Sequence, residues 1–191
     1  AASDVYKRQI MNNEQNICPE RFDQNIQGKA NGLSAAVITL GCKVNQCEGQ
    51  SITELFEKSG YTIKPFSQPA DVYIINTCSV TAMAESKSRK LIHRAHALNG
   101  DALIIITGCY SQRAGNELLN LPGVKIVSGN AGKSRLTELA EEYFRTERPI
   151  QGVSDIFLQR DFEEMPLSRH DSRTRGYTVS YTHLTLPTNS L

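Results

Sequence analysis

Between residues 34 and 146 of this 191-residue chain, short apolar runs alternate with stretches of helical spacing. The runs at 35–40, 71–76, 102–107 and 124–127 are dense in Ile, Val, Leu and Ala, and a shorter one lies at 61–64. They are apolar along most of their length rather than at every second position. That is the pattern of strands covered on both faces, as in parallel sheets. Between them the spacing predicts helices over 51–58, 81–98, 113–119 and 134–144. Ile52, Leu55 and Phe56 set the helical period of the first, and Gly60 and the Asn99-Gly100 pair supply stops. Strands alternating with helices predict an α/β fold: an open, mostly parallel sheet with helices on both faces. Spacing does not fix the strand order.

The flanks differ from this middle. Residues 1–33 are polar, rich in Asn and Gln, and without period, and read as a leader. Residues 147–178, with Pro149, Pro166, Arg169, Arg173 and Arg175, read as a linker, and 179–191 as a tail. Lys and Arg number 21 against 20 Asp and Glu, so charge alone gives no argument for nucleic acid. No run approaches the roughly 18 apolar residues of a membrane span, and none is expected. No apolar core of a signal peptide opens the chain, and five cysteines are too sparse, and odd in number, for a secreted disulfide scaffold. The expected setting is cytoplasmic, with reduced thiols.

Cys42, Cys78 and Cys109 share one address in the pattern. Each falls one to three residues past the end of an expected strand and ahead of an expected helix. The carboxyl ends of parallel strands lie on one edge, where open α/β folds bind ligands, so the three thiols should converge there. Gly41 and Gly108 would let the backbone turn sharply beside a bulky group. The helix N-termini that follow favour negative sulfur. Three thiolates suit a 4Fe-4S cluster with one open iron, or a zinc ion with water in its fourth position. A small buried hydrophobe is the plainest reading of any one of these cysteines, but a poor account of three at the same position of successive βα units. His93 and His96 fall inside the long helix, away from ligand spacing.

Other signals are weaker. Cys18 lies in the leader and Cys47 near the start of a helix, and both read as bystanders. The stretch 128–134 resembles a phosphate loop, but Val127 stands where the motif needs glycine, so it reads as a strand-to-helix turn. Lys87, Arg89, Lys90, His93 and Arg94 make one helix basic. A solvated face is the plain account of these, and an RNA contact the other, as for Arg173 and Arg175.

Three motifs carry a resemblance. Thr39-Leu-Gly-Cys-Lys-Val-Asn-Gln46, Asn76-Thr-Cys-Ser-Val-Thr81 and Thr107-Gly-Cys-Tyr-Ser-Gln112 are similar to the cysteine motifs of the N-terminal domain of radical-SAM methylthiotransferases. The likeness covers about residues 34–175. Gly-Cys-Lys-Val-Asn, Asn-Thr-Cys-x-Val-Thr and the later Lys87-Ser-Arg-Lys90 resemble the tRNA N6-threonylcarbamoyladenosine branch. The isopentenyladenosine branch tends to carry Gly-Cys-Gln-Met-Asn and an Arg-ended second motif. The resemblance implies flavodoxin-like βα units and an auxiliary 4Fe-4S cluster on Cys42, Cys78 and Cys109. Gly41, Asn45, Asn76, Thr77, Gly108 and Gln112 would surround it. It also implies a second 4Fe-4S cluster and S-adenosylmethionine in a radical-SAM domain, a separate RNA-binding domain, and tRNA as substrate. The implied reaction converts N6-threonylcarbamoyladenosine beside the anticodon to its 2-methylthio derivative. The alternatives are isopentenyladenosine tRNA or a ribosomal protein as substrate. Outside the class stand a flavodoxin-like ligand-binding module and a zinc module.

One departure matters. No CxxxCxxC motif for the S-adenosylmethionine cluster occurs, and the match stops near Thr178. Residues 1–9 and 179–191 look like translated adapter sequence and are set aside as non-native. The expectation is an N-terminal fragment, inactive alone.

Overall fold

The strands assemble into one parallel sheet because the central ones are apolar on both sides and bury both faces. In the computed structural model the described residues are 32–78 and 82–154, with Glu163 and Met165. Along the chain come β1 (Ser34–Thr39), α1 (Lys43–Lys58), β2 (Thr62–Ile63), β3 (Val72–Thr77) and α2 (Ala82–Leu98). Then follow β4 (Leu103–Gly108), α3 (Cys109–Leu119), β5 (Val124–Ser128), a 3-10 turn (Lys133–Arg135), α4 (Leu136–Thr146) and β6 (Ile150–Gly152). The sheet order is β2-β1-β3-β4-β5-β6, and every pairing is parallel. This is the flavodoxin-like order extended by one strand, and the direction of winding reverses between β1 and β3.

Strand side chains alternate between the two faces. Ile52 and Phe56 of α1, with Leu136 and Ala140 of α4, pack on Ala35, Val72, Ile74, Leu103, Ile105 and Ile126. Ile92 and Ala95 of α2, with Tyr110 and Leu118 of α3, pack on Ala36, Tyr73, Ile75, Ile104, Ile106 and Val127. At the amino edge the Asp71 carboxylate ties β3 to β1. Its Oδ2 accepts from the Ser34 amide (2.8 Å) and hydroxyl (2.6 Å).

Three expectations change. First, α1 begins at Lys43, not 51. Its early core-facing positions are Asn45 and Gly49, which carry no apolar signal. A Cβ at Gly49 would lie 1.9 Å from Thr39 Oγ1, so the helix crosses β1 at a distance only glycine allows. Second, α3 begins at Cys109, not 113, and Ala114 (φ −124°, ψ 33°) interrupts its helical geometry, separating an uncounted first turn from the periodic part. Third, the region read as linker contributes an edge strand, β6, too short and too polar to register as one. The leader up to residue 31, the tail, Cys18, Arg169, Arg173 and Arg175 lie outside the described residues.

Candidate metal centre

The cysteine-bearing segments follow three neighbouring strands. In register, Thr39 of β1 faces Asn76 of β3, Asn76 faces Thr107 of β4, and Thr77 faces Gly108. Cys42 is the N-cap residue of α1, Cys78 follows β3 directly, and Cys109 opens α3. All three therefore stand at the carboxyl edge, beside the point where the winding reverses. Cys42 is exposed, Cys109 half-buried and Cys78 buried.

Glycine makes this spacing possible. Gly41 (φ 111°) and Gly108 (φ 101°) both occupy the left-handed half of backbone space. A Cβ at Gly41 would sit 2.7 Å from Cys78 Cβ and 2.9 Å from its Sγ. A Cβ at Gly108 would sit 2.3 Å from the Thr77 carbonyl and 2.7 Å from Asn76 Oδ1. The turns after β1 and β4 thus press on the Cys78 segment from either side.

Two asparagines brace the gap. Asn45 Nδ2 donates to the carbonyls of Leu40 (3.0 Å) and Thr77 (3.1 Å), spanning the ends of β1 and β3. Its Oδ1 faces Cys42, whose thiol donates over 3.8 Å. Asn76 Nδ2 donates to the Asn45 carbonyl (3.0 Å), locking α1 to β3. Asn76 Oδ1 is buried beside Gly108 and, among the described residues, has no hydrogen-bond partner. Thr77 Oγ1 donates to the Thr107 carbonyl (2.6 Å), joining β3 to β4. Neither α1 nor α3 has a side-chain cap or an acidic residue in its first turn, so both present positive ends to this edge.

The residues present a three-thiol donor set on glycine turns under two positive helix ends. Among the described residues, however, no group of three or more His, Cys, Asp or Glu side chains closes tightly enough to hold a metal ion. The expected convergence is thus one of edge and register, not of donors meeting on a point. A single zinc ion needs donors about 2.3 Å from one centre. A cluster takes each thiolate on a different iron and so suits more widely set donors.

Other expected residues have other roles. Gln112 points at a neighbouring loop: its Oε1 accepts from the Asn130 amide (2.9 Å) and its Nε2 donates to the Ser154 carbonyl (2.8 Å). Cys47 is half-buried within α1. Arg89 is committed to α3, where its Nε donates to Tyr110 Oη (2.8 Å) and its guanidinium pairs with Glu117 (3.2 Å). Arg113 lies over the same ring and pairs with Glu85. Lys87 and Lys90 are exposed. The phosphate-loop-like stretch is a strand-to-helix turn whose Lys133 is buried, with Nζ 2.6 Å from Glu48 Oε2. Sequence spacing did not flag this pair, because its partners are 85 residues apart.

Comparison with known proteins agrees with this architecture. The model of the family described as uncharacterized protein family UPF0004 matches residues 34–129. The threonylcarbamoyladenosine tRNA methylthiotransferase MtaB of Bacillus subtilis is 42% identical over 143 residues, covering 75% of this chain and 32% of the relative. The protein of the same name from Thermotoga maritima is 41% identical over 142 residues, 73% of this chain and 31% of the relative. A tRNA-2-methylthio-N(6)-dimethylallyladenosine synthase of Novosphingobium aromaticivorans is 29% identical over 145 residues, 75% of this chain and 32% of the relative. The chain thus spans about a third of the length of these relatives. Among the described residues no helix is long and apolar enough to cross a membrane. With half its length under the family model, and with the higher identities among these relatives to the two named MtaB, the chain belongs to the family UPF0004, the amino-terminal domain of methylthiotransferases.

Proposed function

We propose that this chain is the cluster-bearing domain of a tRNA methylthiotransferase that acts on N6-threonylcarbamoyladenosine at position 37, beside the anticodon. The observation that carries the reading is the placing of Cys42, Cys78 and Cys109 after the adjacent strands β1, β3 and β4. Their thiolates would hold a 4Fe-4S cluster, which supplies an open iron for the sulfur to be transferred. Gly41 and Gly108 keep Cβ atoms out of the space beside Cys78 and Asn76. Asn45 and Asn76 fix the distance between the Cys42 and Cys78 segments. The amino ends of α1 and α3 carry partial positive charge that favours an anionic group. On this reading the radical-SAM chemistry, its own cluster and S-adenosylmethionine, and most RNA binding would be supplied by other regions of the full-length enzyme. In the complete cytoplasmic enzyme, exposed Lys87 and Lys90 would at most add phosphate contacts, and this domain alone is inactive.

Anaerobic reconstitution with iron and sulfide tests this. The expected result is a brown protein absorbing at about 400 nm, with the colour lost in Cys42→Ala, Cys78→Ala and Cys109→Ala. A colourless protein, or one equivalent of zinc with no iron or sulfide, overturns it. For the substrate, the full-length gene should restore 2-methylthio-N6-threonylcarbamoyladenosine to the tRNA of a deficient strain. Recovery of only the isopentenyladenosine product would assign the other branch.

A further inference from the structure

The turn between β5 and α4 is gripped from two sides, and one grip comes from far along the chain. Glu163 Oε1 accepts from the Ser134 amide (2.6 Å) and hydroxyl (2.5 Å), and its Oε2 from the Gly132 amide (2.9 Å). Gly132 takes a positive φ (87°), a backbone turn that lets its amide and that of Ser134 share one carboxylate. Lys133, between the two amides, is turned inward to Glu48 and takes no part. Two residues on, Met165 packs on the core between sheet, α1 and α4, and its carbonyl accepts from Ser51 Oγ (3.4 Å). The carboxylate is thus held by charge-assisted bonds and backed by an apolar anchor.

The other grip comes from around Cys109. Thr107 Oγ1 donates to the Gly129 carbonyl (3.0 Å). Ser111 Oγ reaches the carbonyls of Ser128 (2.6 Å) and Gly108 (2.7 Å). Gln112 Oε1 accepts from the Asn130 amide (2.9 Å). Three side chains within three residues of Cys109 therefore hold the loop whose far end holds Glu163.

We propose that Glu163 is a positioning residue for the Cys109 segment, acting through loop 128–134. The resemblance of that loop to a phosphate cradle has a physical basis: its amides bind an anion, and the anion is the chain's own carboxylate. Whatever displaces the chain beyond β6 would loosen the loop and with it the Cys109 turn. The inference concerns the polypeptide alone and does not depend on the cluster, so its test needs no iron.

Native-state hydrogen exchange and iodoacetamide labelling of the 191-residue chain test it. In the unsubstituted protein the Gly132 and Ser134 amides are expected to be protected. Glu163→Ala should speed their exchange on the order of tenfold or more. It should also speed alkylation of Cys109 several-fold, with Cys42 unchanged and β3 and β4 amides still protected. Glu163→Gln, which keeps the shape without the charge, should fall between. Free exchange of both amides in the unsubstituted chain overturns the proposal. So does Glu163→Ala leaving loop exchange or Cys109 labelling unchanged.

Discussion

A single residue shows how little freedom the cysteine edge has. A side chain at Gly108 meets both a backbone torsion L-residues avoid and the Thr77 carbonyl at 2.3 Å. Gly108→Ala is therefore expected to lower stability by on the order of 2 kcal/mol, read from urea unfolding. Because the obstructing atom is backbone, no neighbouring substitution should rescue it. At the opposite edge, the Ser34 hydroxyl and then its amide hold the Asp71 carboxyl below its ordinary value. A carboxyl whose folded value is depressed stabilises the fold above its unfolded value, near pH 4, and loses that contribution as pH falls toward the folded value. Ser34→Ala removes the larger cause. The variant should show a shallower fall of Tm with acidification below about pH 4 than the parent, by calorimetry across that range. Equal slopes would mean the Ser34 contact does not stabilise the ionised carboxyl.

Among the elements, α1 is where local preference and tertiary fit oppose each other. Alanine for glycine inside a helix gains up to about 1 kcal/mol from propensity, while the clash with Thr39 costs about 1–3 kcal/mol. The clash should win: Gly49→Ala destabilises the parent. In a Thr39→Ala background the sign should reverse, and thermal melts of the four proteins in that cycle measure it. The same helix explains the limits of reading the chain from its residues. Strands β1, β3 and β4 were legible because apolar residues fill both faces, and the glycines at 41 and 108 were legible as turns beside cysteines. The first two turns of α1 were not, since Asn45 and Gly49 serve by hydrogen bonding and by smallness, neither of which has a period. Strand β6 offers one apolar residue in Ile150–Gly152. Glu163 was invisible because its partners are mostly backbone amides 29 and 31 residues away, and amides leave no mark in a sequence.

For the whole molecule, the register of the sheet matters more than any one contact. The edge carrying the cysteines is built from the ends of the three strands with the most extensive mutual pairing, β1, β3 and β4. The site therefore rests on the most extensively paired strands of the sheet, while the cysteines themselves lie on the turns that follow them. The two margins of the same sheet are of the opposite kind. Among the described residues the outermost strands are short: β2 has two residues, Thr62–Ile63, and β6 has three. A long, flat margin would be a template on which a second molecule could add a strand and begin a fibril, and parallel sheets assemble slowly enough to expose such a template. Outermost strands as short as β2 and β6 give such a template little length to start on.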